Sequence, residues 1–129
     1  MGAAYRPRRH DLATDSLVDD PPLPVPAGGV LLVDGIFAQR PELGDPWDLV
    51  IYLDAPDALR AARMALRDGV SADVDHPDQR RYLDAQLIYD AACRPRDAAD
   101  VVIGNADPDR PTVVRGLGGL GGFPEETPR

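Results

Sequence analysis

The sequence predicts an α/β fold, and three observations predict it. Val30–Val33, Leu49–Leu53 and Val101–Ile103 are short, continuous apolar runs, each followed directly by an acid or a glycine. Two segments between the second and third runs repeat apolar residues at helical spacing. Stretches rich in Pro and Gly lie on either side of this alternation. Unbroken apolar runs of this length suit strands buried on both faces, as in a parallel sheet. Strands alternating with helices argue for the same arrangement.

Taken in order, residues 1–28 carry Arg, Asp and Pro in abundance, with Pro21, Pro22, Pro24 and Pro26 close together. Such a stretch favours neither helix nor central strand and is expected as an extended lead-in. Residues 29–111 form the expected α/β domain. Its first helix should cover residues 56–68, with Pro56 near its start and Asp54 as a candidate N-cap. Leu59, Ala62 and Leu66 mark one face, and Arg60, Arg63 and Arg67 run as an adjacent stripe. A second helix is expected from about Gln79 to Arg94, with Leu83, Leu87 and Ala91 facing inward and Pro95 ending it. Residues 112–129 read as a flexible Gly- and Pro-rich tail.

Composition narrows the function. The chain has 129 residues and a formal net charge of −8, a field that repels nucleic-acid backbones, so no nucleic-acid partner is expected. No apolar run approaches the roughly 20 residues that span a bilayer, so no membrane partner is expected and the cytoplasm is the expected compartment. A single cysteine, Cys93, cannot close an internal disulfide, in keeping with a reducing compartment. All 14 basic residues other than histidine are arginine. Within this chain that excludes a phosphate-loop lysine, a Schiff base and a lysine general base.

Several residues carry candidate chemistry. Asp34 follows an apolar run, where a carboxylate can sit beside a metal and phosphate site; an Asp-Gly turn after a strand reads equally well. Arg60, Arg63 and Arg67 could clamp phosphoryl oxygens or form a solvated helix face. Tyr5 and His10 could stack on a base and hydrogen-bond it or be incidental residues near a chain end. Gly116–Gly121 satisfies G-x-G-x-x-G, but Pro124 and Pro128 follow at once, so no helix can supply the anion-binding N-terminus that motif needs. Asp73, Asp75 and Asp78 lack the glycine and glutamate of a calcium loop. His10, His76 and Cys93 are too few for a structural zinc site.

The order of the segments is more informative than any one of them. Tyr5-Arg-Pro-Arg-Arg-His10 is followed by Val30-Leu-Leu-Val-Asp-Gly-Ile-Phe37 and Trp47-Asp-Leu-Val-Ile-Tyr-Leu-Asp54. Leu59-Arg-Ala-Ala-Arg-Met-Ala-Leu-Arg-Asp68 and Arg94-Pro-Arg-Asp-Ala-Ala-Asp-Val-Val-Ile103, with Asn105, come next. Over residues 5–111 this succession resembles the C-terminal portion of the uridine kinase-like P-loop nucleoside kinases.

The resemblance implies a partial P-loop NTPase-type parallel sheet with flanking helices, lacking the first two strands. It implies transfer of the ATP γ-phosphate to the 5′-hydroxyl of uridine or cytidine, with ATP and Mg2+ as cofactors. Tyr5 and His10 match the nucleoside-contacting pair. Asp34 matches the acid beside the metal. Arg60, Arg63 and Arg67 match the helix leading into the phosphate lid, expected at residues 69–81, although an Arg-Gly-Arg-Asp type of lid sequence is missing there. Asn105 matches the loop near adenine. The G-x-x-x-x-G-K-[ST] loop and the catalytic Asp strand of the family would precede Tyr5 and are absent, so the chain by itself is expected to be inactive. A non-catalytic module that associates with a partner is the alternative, and an unrelated small α/β domain a third reading. Exposed sheet edges left by the missing strands would call for another copy or a different chain to cover them.

Overall fold

In a computed structural model of the protein, residues 4–11, 13–116 and 118 are described. The chain divides into two units, residues 1–35 and 36–129.

The first unit is built from pairs of two-residue strands. Strand β1 (Ala4–Tyr5) lies antiparallel to β4 (Leu23–Pro24), and β2 (His10–Asp11) lies antiparallel to β3 (Ser16–Leu17). Ladders this short contribute little by themselves. Charge pairs reinforce them, Arg6 with Asp19 at 2.9 Å and Arg8 with Asp20 at 2.8 Å, and His10 Nε2 lies 3.1 Å from Asp15 Oδ1. The carboxylate of Asp11 accepts the Ala13 and Thr14 amides at 2.9 and 3.2 Å and shapes the β2–β3 turn. The expected lead-in therefore has local structure.

Val30–Val33 is not a strand, which corrects the expectation for the first apolar run. It has no regular structure, and Val30 and Leu32 are 90% and 89% exposed. The physical reason is pairing. A strand exists by virtue of its neighbours, and no described strand lies beside this one. The run lies at the end of the first unit.

The second unit is mixed α/β, with a three-stranded mixed sheet and three α-helices among the described residues. Strand β5 (Ile51–Asp54) feeds helices α1 (Asp57–Asp68), α2 (Pro77–Cys93) and α3 (Pro95–Ala98), and the chain returns as β6 (Val101–Gly104). These two strands are parallel, in the register Ile51↔Val101 to Asp54↔Gly104. At the start of the ladder Val50 and Asp100 clasp each other. The Val50 amide donates to the Asp100 carboxylate at 2.8 Å, and the Asp100 amide donates to the Val50 carbonyl at 3.0 Å.

Strand β7 (Thr112–Arg115) lies antiparallel on the other side of β6, with a register shift at Val102/Ile103. The sheet is thus mixed rather than parallel, and the expected tail begins with a strand. Two adjacent β-branched valines make this segment a strand former, and Pro111 sits just before it, where no ladder bond is lost. Gly104 makes the approach feasible: a Cβ there would lie 2.6 Å from Thr112 Oγ1. The remainder of the expected tail, residues 117 and 119–129 with most of the G-x-G-x-x-G pattern, lies outside the described residues.

Helix α1 ends at Gly69, whose φ of 71° lets its amide cap the Ala65 carbonyl at 2.9 Å. Pro56, not Asp54, occupies its N-cap position, with no side-chain cap bond. Its buried residue is Ala61, while Leu66 is 91% exposed. In α2 the buried side chains are Gln79, Gln86 and Tyr89, and the expected inward residues Leu87 and Ala91 are exposed. Of the expected inward residues only Leu59 and Leu83 are half-buried, and the fully buried positions of both helices lie elsewhere. Polar anchoring turns α2: Gln79 Nε2 donates to the Ala61 and Ser71 carbonyls, and Tyr89 Oη accepts the Gln39 amide at 3.0 Å. Arg94, with φ 46°, breaks the helix one residue before Pro95, which opens α3 instead of merely ending α2.

The buried apolar side chains among the described residues are Ala61, Tyr89, Ala99 and Val102, with Pro95 beside them. Tyr89 meets Phe37 edge-to-face at 5.2 Å, and Trp47 Nε1 donates to the Ala38 carbonyl at 2.8 Å. No helix among the described residues is long and apolar enough to cross a membrane.

Two stability predictions follow from this packing. Val102→Ala should cost on the order of 2 kcal/mol, read from the urea midpoint. Burial raises the phenol pKa of Tyr89 above its ordinary 10.0, and the same cause raises Tyr52. The folded state therefore holds these protons more tightly than the unfolded chain. Stability should be constant with respect to these groups below pH 10 and fall as pH rises past it. In Tyr89→Phe the alkaline loss should be shallower when denaturation midpoints are compared up to about pH 11.

Candidate functional site

In open α/β sheets, ligands gather beyond the carboxyl ends of parallel strands. Here those ends are Asp54 of β5 and Gly104 of β6, and the Asn105 amide ties them by donating to the Asp54 carbonyl at 2.7 Å. Arg63, projecting from α1, donates Nη1 to the Asn105 carbonyl and Nη2 to the Ala106 carbonyl, each at 3.0 Å. The loop after β6 is thereby fastened to the helix after β5. Two of the five N–H donors of Arg63 are used in doing so.

Arg96 closes the same end of the sheet from α3. Its Nε donates to Asp54 Oδ2 at 2.9 Å, and the hydrogen bond and charge of Asp54 raise the Arg96 pKa. Arg115 reaches from β7 to the C-terminal carbonyls around α3. It donates to Arg96, Asp97 and Ala99 at 2.6, 3.2 and 2.5 Å, a cation where a helix end concentrates partial negative charge. Arg94 holds the Asp97 carboxyl below the usual carboxylate range.

Of the sequence-predicted residues, the structure brings Arg63 and Asn105 together. Arg60 turns to Asp57 on its own helix, and its Nε is buried without a hydrogen-bond partner. Arg67 forms a two-point pair with its neighbour Asp68, both contacts at 2.7 Å, which lowers the Asp68 pKa and raises that of Arg67. The three arginines thus serve three different partners and form no joint clamp. Tyr5 lies half-buried on β1 and His10 exposed on β2, in separate ladders of the first unit. Asp34 belongs to that unit as well. It is exposed and ends no buried strand, contrary to expectation. Residues 70–76 of the expected lid form a loop, but residues 77–81 are the first turn of α2.

Sequence reasoning missed Arg96, Arg115, Asp100 and Gln39. Arg96 and Asp100 lie inside the quoted Arg94–Ile103 segment, but nothing in its spacing marks Arg96 as the partner of Asp54, 42 residues away. Arg115 fell in the expected tail. Among the described residues no group of three or more His, Cys, Asp or Glu side chains could hold a metal ion. A Mg2+ carried on nucleotide phosphates needs only one or two carboxylates, and Asp34 is the candidate donor. Comparison with known proteins returned no match, whether among family models, curated proteins or solved structures.

The unequal engagement of the arginines predicts unequal effects. Arg63→Ala should lower stability by about 1–2 kcal/mol, because two charge-assisted bonds between elements are lost. Arg67→Ala should fall within about 0.5 kcal/mol of the parent, since an exposed neighbouring pair contributes little. Urea denaturation followed by circular dichroism compares the two.

Proposed function

We propose that this chain is the nucleotide-facing portion of a uridine kinase-like phosphotransferase. In that reading Asn105 and its loop approach adenine and Arg63, fastened to that loop, neutralises phosphoryl charge, while Tyr5 and His10 of the first unit contact uridine or cytidine. Asp34 would hold Mg2+, which polarises the phosphate oxygens when bound. The observation that supports the reading is the Arg63 bridge to Asn105 and Ala106, at the carboxyl ends of a parallel β pair. It joins two positions that the resemblance assigns to one nucleotide.

In the reaction the nucleoside 5′-oxygen bonds to the γ-phosphorus as the bond to ADP breaks, and the hydroxyl proton must pass to a base. No residue matched by the resemblance is that base, and no lysine in the sequence can cradle the phosphates. A second reading, a non-catalytic module that binds a partner chain, is favoured by the exposed apolar segments Val30–Val33 and Leu49–Leu53.

Titration of the isotopically labelled chain with millimolar Mg-ATP tests the first reading. The amide resonances of Gly104, Asn105 and Ala106 should shift, and Arg63→Ala should abolish the shifts. Unmoved resonances at these positions would overturn the reading. A coupled assay with Mg-ATP and uridine should show no turnover by the chain alone.

A further inference from the structure

The carboxyl end of the β5/β6 pair holds a guanidinium to which the resemblance gives no role. Arg96 meets Asp54 Oδ2 through Nε alone, at 2.9 Å. The N–H donors on its two terminal nitrogens meet no acceptor among the described residues. The pair is open to solvent, with side chains 48% and 39% exposed. Arg63 comes to the same place from α1, and one chain of hydrogen bonds joins the two arginines. Arg63 Nη1 donates to the Asn105 carbonyl, the Asn105 amide to the Asp54 carbonyl, and Arg96 Nε to the Asp54 carboxylate. Arg63 too keeps donors that meet no acceptor among the described residues. Two cations thus meet one carboxylate, a local positive excess in a chain whose net charge is −8. Every residue of the cluster belongs to the second unit. Arg60 and Arg67 are committed to Asp57 and Asp68 instead.

From this convergence we infer that Arg96, rather than Arg60 or Arg67, joins Arg63 on the phosphoryl oxygens of the ligand. The ligand class is a phosphoryl anion, a chemistry that nucleotide phosphates and inorganic pyrophosphate share. The inference rests on the nucleotide reading above for the source of those phosphates, and on the cluster alone for their binding. Asp54 fixes the plane of the Arg96 guanidinium through Nε. The edge formed by the two terminal nitrogens is left for bidentate binding of phosphoryl oxygens. A side chain already held in this way loses less freedom when the anion arrives.

Titration of the isotopically labelled 129-residue chain with pyrophosphate, Mg-ATP and adenosine tests this. Pyrophosphate should shift the Arg96 Nε–H and Asn105 amide resonances. Arg96→Gln should weaken pyrophosphate and Mg-ATP binding about 10-fold and leave adenosine binding unchanged. Arg96→Lys keeps a cation beside Asp54 but not the fork, so it should fold as the parent does and still lose most of the same affinity. Arg67→Gln should match the parent. Pyrophosphate that moves neither resonance overturns the inference. Parental affinity in either Arg96 variant overturns it too, as does an equal loss in Arg67→Gln, which would mark general charge attraction. If Mg-ATP shifts Gly104, Asn105 and Ala106 equally in Arg96→Gln, the nucleotide reading stands and this inference falls. If pyrophosphate binds through Arg96 while the nucleoside part of ATP adds nothing to the affinity, the anion site stands and the nucleotide reading falls.

Discussion

The parallel pairing of β5 with β6 is the constraint on which the second unit depends. Parallel strands cannot be joined by a tight turn, so the chain between Asp54 and Val101 must cross over, and it does so through α1, α2 and α3. Each end of the pair is locked by a local clasp. Val50 and Asp100 hold its start, and the Asn105 amide on the Asp54 carbonyl holds its end. Arg63 and Arg96 can bridge elements only because this ladder brings the residues after β5 and those after β6 to the same edge of the sheet. The carboxyl-end cluster is therefore a consequence of strand direction.

Polar anchors orient the helices more than apolar stripes do. Gln79 and Gln86 are buried on α2 while Leu87 and Ile88 face solvent. Gln79 bonds to carbonyls of Ala61 and Ser71, satisfying groups that would be costly to bury unpaired. Tyr89 combines an edge contact to Phe37 with acceptance of the Gln39 amide. The result is a small core, centred on Val102 and Ala61, surrounded by exposed large apolar side chains.

The arginine stripe shows how a pattern can be legible and still mislead. Its i, i+3, i+7 spacing on a helix was correct. The inference that the three guanidinium groups act on one ligand does not follow from it, because each finds a different nearest acceptor: Asp57 for Arg60, the Asn105 and Ala106 carbonyls for Arg63, and Asp68 for Arg67. Two of those three partners are local in sequence, and short-range carboxylates capture exposed arginines readily. Arg63 alone has its partners 42 and 43 residues away, set by the ladder.

Sequence by itself determined the α/β class, the positions of β5, α1 and β6, and the approximate extent of α2. Those features rest on local patterns: apolar runs closed by Asp or Gly, and the helix signals at Pro56 and Pro95. It determined the absence of any lysine as well. Tertiary structure decided what local pattern cannot carry. Val30–Val33 has the same composition as a buried strand and is none, because a strand requires a neighbour and composition does not provide one. Val113 and Val114 form a strand inside an expected tail because β6 offers them an edge, and the absent side chain of Gly104 lets them reach it. Which arginine meets which carbonyl was decided by register across the β5/β6 pair, a long-range quantity that no spacing within a single segment records.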